Sequence, residues 1–455
     1  MVVHPSDISG LESLIETEFA ELAPKPRTLD ETGLDQRFVA DLAAKHLFEA
    51  GALPLAKLAK RLALSGNIVE SVLHFMRAEA RIELTALQGV ENAIHYRLTD
   101  RGRASATDAL MRSGYVGPAP IPLQTYARIV RAQTVHGRAV TRSVMHSAFA
   151  DVVLKEEMLD RLGPSLNSGR PIFVHGPAGT GKTYIAHKLK RLFHDRVLIP
   201  HAISVNESVI SVFDPIAHKA AGRQDAKSDI RLDAEHDPRF IVCERPVIVA
   251  GGELTADMLE VQFDAATREY RSPLQLKANN GMFVIDDMGR QKVPPEAIFN
   301  RWIVPMEEKK DYLSLGSGRH FSVPFDVVLL FSTNLHPLDL ADEAFLRRIG
   351  YKIGFDYLTT DEYRAIWRNE CTERGIVYEP ESVDYVLTAL HARHRVRLLP
   401  CHPRDLLGIA LDRADYLGEP RRLTPEHLDW AWRNYFVSYE EPAPVIGGAA
   451  LRGIE

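Results

Sequence analysis

Residues 172–183 read Ile-Phe-Val-His-Gly-Pro-Ala-Gly-Thr-Gly-Lys-Thr. From Gly176 to Thr183 they follow the spacing G-x-x-x-x-G-K-T, between an apolar run (Ile172–Val174) that reads as a strand and a stretch (Tyr184–Leu192) that reads as a helix. The glycines let successive backbone N–H groups turn inward around a phosphate where a Cβ would intrude. The helix N-terminus behind them adds partial positive charge, the Lys182 ammonium can reach the outer phosphates, and the Thr183 hydroxyl can ligate Mg²⁺. The expected phosphate contacts are Gly176, Pro177, Ala178, Gly179, Thr180, Gly181, Lys182, Thr183 and the following Tyr184. A loop of this kind works at the carboxyl end of a parallel strand. Apolar runs alternate with helical stretches from about 170 to 357, so the expected fold class is α/β, a P-loop NTPase parallel sheet.

Such a loop needs a carboxylate on a neighbouring strand to hold the hydration shell of the metal. Residues 282–287, Met-Phe-Val-Ile-Asp-Asp, supply one: four apolar residues followed by Asp286 and Asp287. Further on, the apolar run Val327–Phe331 ends in Ser332-Thr333-Asn334. Asp342-Glu-Ala-Phe-Leu-Arg-Arg-Ile349 comes next, and His402-Pro403-Arg404-Asp405 opens a later helix.

Taken in this order, residues from about 150 to 437 resemble the AAA+ ATPases. The resemblance makes Asp286 the metal-side aspartate and Asn334 the polar residue that orients the attacking water. Asp287 stands where the family usually has a glutamate that polarises that water, and it is shorter by one methylene, which leaves fast turnover open. Arg348, or Arg347 beside it, matches the arginine finger that a neighbouring subunit inserts, and Arg404 matches the arginine by which the helical lid reaches the terminal phosphate. A finger acts only across an interface, so the resemblance implies a homo-oligomer, a ring of which a hexamer is one form. The run Asp286–Glu296 leading to Met306-Glu-Glu308 is closest to the MoxR-like subgroup, with sigma-54 activators as the other comparison. Arg290 and Arg301 read as ordinary surface arginines in preference to inter-subunit signals.

Ahead of this module, residues 36–49, a second stretch opened by Leu53-Pro54-Leu55 (Leu55, Leu58, Ala59, Leu62) and Gly66–Ala80 carry helical apolar spacing, and Arg81–Leu87 and Ala93–Leu98 read as strands around a turn at 88–92. Three helices and a hairpin resemble a winged helix-turn-helix. Residues 35–112 hold 11 Lys/Arg against 9 Asp/Glu, a net of +2. That balance favours a protein-docking module, with DNA as the alternative partner. The expected division is a loose leader (1–35), the winged-helix module (36–112), a stiff Pro-rich linker and helices (113–150), the α/β core (151–358), a helical lid (359–440) and a tail (441–455). Thr359 to Glu362 forms a capping box, and Thr424-Pro425 pairs an N-cap with proline at the first helical position.

With 55 Lys+Arg against 61 Asp+Glu, the 455-residue chain has a net charge of −6, which excludes a surface tuned throughout to polyanions. Three distant cysteines, Cys243, Cys371 and Cys401, suggest a reducing compartment, and no run approaches the roughly 18 apolar residues of a spanning helix. The start of the chain lacks a basic segment followed by an apolar one, so a cytoplasmic protein without a signal peptide is expected. His391, His394, Cys401 and His402 match no common zinc spacing. The resulting expectation is an ATPase that takes ATP and Mg²⁺ and remodels an unidentified protein client as an oligomer. Two alternatives stand beside it: a DNA-associated regulatory ATPase, and a nucleotide-gated scaffold with weak hydrolysis.

Overall fold

Every residue of the strands Gly281–Ile285 and Val327–Thr333 is buried, as a parallel sheet covered on both faces requires. In the computed structural model these strands lie at the heart of a five-stranded, all-parallel sheet. Its spatial order is Val247–Ala250, Gly281–Ile285, Val327–Thr333, Ile172–His175, Tyr351–Gly354. The strand leading to the glycine-rich loop is first in the chain, yet it lies between the fourth and the fifth. The helix Pro295–Glu308 covers this sheet through Ile298, Phe299 and Trp302, which pack with Phe283, Phe331 and Phe345. The fold class is therefore the α/β parallel sheet expected.

Residues 16–86, 94–137, 139–221, 235–316 and 318–436 are described. The turn at 88–92, most of the polar stretch 218–237, the tail 441–455 and the first 15 residues lie outside them. The described residues group into two compact units. One is drawn from Met1–Ala148, Glu156–His175 and Thr183–Gly354, the other from Phe149–Lys155, Gly176–Lys182 and Phe355–Glu455.

Within the first unit, the interval between the two halves of the motif builds a second sheet. Gln262–Asp264, Glu269–Arg271, Ser208–Ser211, Ala202–Val205 and Ile121–Pro122 lie side by side, and Arg196–Pro200 pairs separately with Phe240–Glu244. This sheet overturns two expectations. The described part of the leader is not loose, because Phe19 and Ala23 are buried in the core with Ile203, Ile210 and Phe240. The Pro-rich segment, read as a stiff linker, is packed as well. Tyr115, Ala119 and Ile121 are buried, and Ile121–Pro122 runs parallel to Ala202–Val205. Proline stiffens an extended chain, but its apolar neighbours decide that it pairs at a sheet edge, where a missing N–H costs little. Buried ion pairs fasten these pieces. Arg239 binds Asp237 at 2.8 Å and donates to the carbonyls of Thr32 and Pro120, and Arg245 binds Asp195 at 2.6 Å and donates to the carbonyls of Gln133 and Asn280.

The N-terminal module holds three helices and a hairpin, but a strand, Ala52–Pro54, stands where the sequence pattern has Leu53-Pro54 opening the second helix. Helix Gln36–Ala50 starts where the Asp35 carboxylate accepts from Arg37 N and stops at Gly51, which lies at positive φ. Leu55–Leu62 and Gly66–Ala78 follow, and the strands Ile82–Ala86 and Ile94–Leu98 pair with each other, Ala52–Pro54 adding a third strand. Its core (Val39, Leu47, Leu58, Val72 and Met76) is continuous with Ala202 and Val209 of the second sheet.

In the second unit, helices Thr360–Glu373, Pro380–Tyr385, Cys401–Leu417 and Pro425–Tyr435 enclose Trp367, Val383, Leu407, Ala431 and Trp432. The capping box at Thr359 and Glu362 is formed, and Gly418 at positive φ ends the long helix.

Candidate nucleotide site

Register aligns the chemistry of the first unit. His175 pairs with Thr333 and Phe331 with Ile285, so Asp286, Asp287 and Asn334 all emerge at the carboxyl edge of the parallel sheet. There the Thr183 hydroxyl donates to Asp286 Oδ2 at 2.6 Å, and the Asp287 N–H donates to Asp286 Oδ1 at 3.0 Å. Asn334 Nδ2 donates to Asp287 Oδ1 at 3.0 Å. Four residues singled out in the sequence thus meet in one hydrogen-bonded chain: Thr183, Asp286, Asp287 and Asn334.

Asp287 sits at φ +48°, in the left-handed region that a side chain other than glycine rarely occupies. Neighbouring bonds hold it there. The Met288 N–H donates to the Ser332 carbonyl, the Thr333 hydroxyl to the Met288 carbonyl, and the Arg290 N–H to the Asp287 carbonyl. Gln291 completes the brace: its amide nitrogen donates to the Asp286 carbonyl at 2.9 Å, and its amide oxygen accepts from Gly289 N–H. Sequence reasoning missed Gln291, because a glutamine five residues past an aspartate carries no signal until the turn is seen.

The glycine-rich loop Gly176–Lys182 belongs to the second unit. Gly176, Gly179 and Gly181 all have positive φ. A Cβ on Gly176 would lie 2.1 Å from the Phe355 carbonyl, and one on Gly179 would lie 2.9 Å from Cys401 Sγ. The glycines are needed both for the turn and for close approach to the C-terminal segment. Lys182 Nζ donates to the carbonyls of Gly176 and Pro177 at 2.9 and 2.8 Å, and the Thr180 hydroxyl caps Pro177 at 2.8 Å. Arg404 lies one turn beyond Cys401 on the helix whose start abuts Gly179, a spacing that shares a helix face. Its side chain is exposed, and Nε donates to Asp405 at 2.8 Å. Tyr184, opening the next stretch in the first unit, is half exposed beneath the Lys188 ammonium.

Arg347 and Arg348 end the helix Glu343–Arg348, with exposed side chains while Phe345, Leu346 and Ile349 are buried. Arg348 Nε donates to Glu307 Oε1 at 2.5 Å. Arg290 is exposed, as expected, but Arg301 is no ordinary surface arginine. It is gripped by Asp311 at 2.7 Å and Glu260 at 2.8 Å, which assigns it to holding the helix Pro295–Glu308 in place. Sequence could not show this, since the face Asp311 turns inward is set by what its strand packs against.

In the N-terminal module four of the arginines are ion-paired within the module. Arg61 pairs with Glu49, Arg81 and Arg112 with Asp41, and Arg97 with Glu83. Lys45 is buried, donates to the Ser113 carbonyl at 2.6 Å, and has its pKa lowered to about 8 by that burial. Leu84 and Ile94, on one face of the hairpin, are 44% and 59% exposed.

A family described as a domain of unknown function (DUF8689) matches residues 359–434, the C-terminal helices. No curated protein is similar enough to the chain to match it. Among solved structures, the RuvB Holliday junction branch migration motor of Thermotoga maritima is 14% identical, with 61% of this chain and 68% of that one covered and a TM-score of 0.35. A complex of the BchI and BchD subunits of magnesium chelatase is 17% identical over 65% of this chain and 94% of that one, with a TM-score of 0.32. NtrX from Brucella abortus is 12% identical over 63% and 56%, with a TM-score of 0.38. At such scores the likeness carries no argument. Among the described residues, no helix is long and apolar enough to cross a membrane.

Proposed function

We propose that the chain is an AAA+-type ATPase that binds ATP with Mg²⁺, hydrolyses it as an oligomer and thereby remodels a protein partner. The observation that carries this reading is the 2.6 Å hydrogen bond between Thr183 and Asp286 at the carboxyl edge of a parallel sheet. A hydroxyl and a carboxylate are hard oxygen donors of the kind Mg²⁺ takes, usually with waters in its remaining positions, so the residues fit that ion. When bound, the ion neutralises charge on the outer phosphates. The Gly176–Lys182 amides and the Lys182 ammonium hold those phosphates in this reading.

Asp287 accepts a proton from the attacking water as the water oxygen bonds to the terminal phosphorus. The bond from that phosphorus to the bridging oxygen breaks, and its electron pair leaves with the diphosphate. Asn334, already hydrogen-bonded to Asp287, fixes the carboxylate towards that water. The left-handed backbone at Asp287 redirects a side chain one methylene shorter than the family's glutamate, which supports hydrolysis over a purely structural role. Arg348 from a neighbouring subunit stabilises the charge that develops, and Arg404 does so from the lid.

The N-terminal module, read as a winged helix, docks the protein client. Its internally paired arginines and the exposed Leu84 and Ile94 favour a protein surface over a duplex. Size-exclusion chromatography with light scattering, with and without a slowly hydrolysed ATP analogue, tests this reading beside an ATPase assay. Nucleotide-promoted assembly with concentration-dependent turnover is expected. A monomer that neither assembles nor hydrolyses ATP overturns the reading, and assembly without turnover selects the nucleotide-gated scaffold.

A further inference from the structure

The Arg348–Glu307 contact joins two helices with distinct duties. Glu307 lies near the end of Pro295–Glu308, the helix that follows the acid pair through Gly289 and Pro294. Arg348 is the last residue of Glu343–Arg348, whose start is capped by Asp342 accepting from Phe345 N–H at 2.7 Å. The two helices are locked by Phe299 against Phe345, ring centroids 4.1 Å apart. The backbone beneath Arg348 is therefore fixed by aromatic packing and a cap, and the Glu307 carboxylate adds a hold on Nε, at the inner end of the guanidinium.

Both side chains are partly solvated, and an ion pair of that kind contributes little to stability. Its effect falls on the arginine's freedom. A long side chain must be ordered before its fork can meet a phosphate, and a pair that orders it beforehand removes that cost from the reaction.

We propose that Glu307 is a positioning residue for Arg348, holding the guanidinium aimed at the terminal phosphate of a nucleoside triphosphate bound by the next copy of the chain. This rests on the ATPase reading above and adds to it the choice of Arg348 over Arg347. It also links the two in the chain: the helix that follows one subunit's acid pair carries, in its last turn, the residue that sets the arginine presented to its neighbour.

The test uses the full chain and the variants Glu307→Ala and Glu307→Asp. Glu307→Ala is expected to lose roughly 10- to 100-fold in kcat, the scale of a displaced catalytic group, with KM for ATP within about twofold and an unchanged melting temperature. Glu307→Asp recovers part of the loss. Mixing Glu307→Ala with Lys182→Ala subunits should restore turnover, because Lys182→Ala presents an intact Arg348 to a neighbour whose own site is intact. Wild-type kcat in Glu307→Ala, absence of restoration in the mixture, or loss of turnover in Arg347→Ala but not in Arg348→Ala would each overturn the proposal. Wild-type protein without assembly or turnover strikes the parent reading instead, and is distinguished by being seen before any variant is made.

Discussion

The Thr183 hydroxyl and the Asp286 carboxylate, 103 residues apart in the chain, are hydrogen-bonded at 2.6 Å. One follows the first strand of the parallel sheet and the other the third, with the strand Val327–Thr333 between them. Residues from non-adjacent strands meet because both project past the same edge, the place where α/β sheets bind ligands.

Substitutions at Lys182 and at Thr183 separate nucleotide binding from metal binding. Lys182→Ala is expected to weaken binding of a fluorescent ATP analogue by roughly 10- to 100-fold, the worth of lost charged hydrogen bonds. Thr183→Ala should retain most affinity without Mg²⁺ and lose the increment that Mg²⁺ adds. Unchanged analogue affinity in Lys182→Ala would remove the loop from the site.

Asp287 offers a separation of fold from chemistry. Asparagine tolerates the left-handed region and can still hydrogen-bond Asn334, so Asp287→Asn should fold and bind ATP normally. Turnover should fall about 10²- to 10⁴-fold, the contribution of a general base. A variant that keeps full turnover moves the proton acceptor elsewhere.

Gln291 touches no expected ligand position, yet it closes the turn that carries both acids. Gln291→Ala leaves the Asp286 carbonyl and Gly289 N–H without that partner, which costs on the order of 1–3 kcal/mol if the groups stay dry. The expected outcome is a lower kcat with a melting point reduced by a few degrees. Equal kcat in the variant would show that Asp287 holds its conformation without this brace.

How far the sequence could be read follows from the range of each cause. The loop, the acid pair and the capping box are local patterns, and glycine spacing, an apolar run and Thr359–Glu362 declare them directly. The helices Gln36–Ala50 and Leu55–Leu62 likewise follow from periodicity and stop signals. What was illegible is nonlocal. That Ile121–Pro122 pairs with Ala202–Val205 depends on a sheet assembled from segments some 80 residues apart. The burial of Phe19 and the inward face of Asp311 depend on the same kind of distant packing. The departure of Asp287 from glutamate was visible, but the backbone twist that answers it was not.

The N-terminal module is expected to bind duplex DNA no more tightly than non-specific proteins do, with Kd above about 1 μM at physiological salt. Arg81, Arg97 and Arg112 are already held by carboxylates, so fewer phosphates can be neutralised than the 11 Lys/Arg of the module suggest, and the salt slope should be correspondingly shallower. A nanomolar, sequence-selective affinity that falls steeply with salt would overturn protein docking as the module's role.

Acid should destabilise the fold through its histidines before its carboxylates are reached. Burial pushes His201 down to about 4 and, with the charge of His391 adding to it, His402 down to about 4. His46, His218, His236 and His391 are also lowered, with burial the leading cause. In each case the unfolded chain takes up a proton near pH 6.5 while the folded chain resists it, so protons favour unfolding. The stability is intact above about pH 6.5 and is lost as pH falls from there towards 4, by up to about 1.4 kcal/mol per pH unit for each fully titrating histidine. Urea midpoints measured between pH 7.5 and 4.5 should fall accordingly. The double variant His201→Phe, His402→Phe removes two of the proton acceptors and keeps ring volume, so its midpoint should fall less steeply. A slope identical to that of the unmodified chain would mean that these rings titrate alike in the folded and unfolded states.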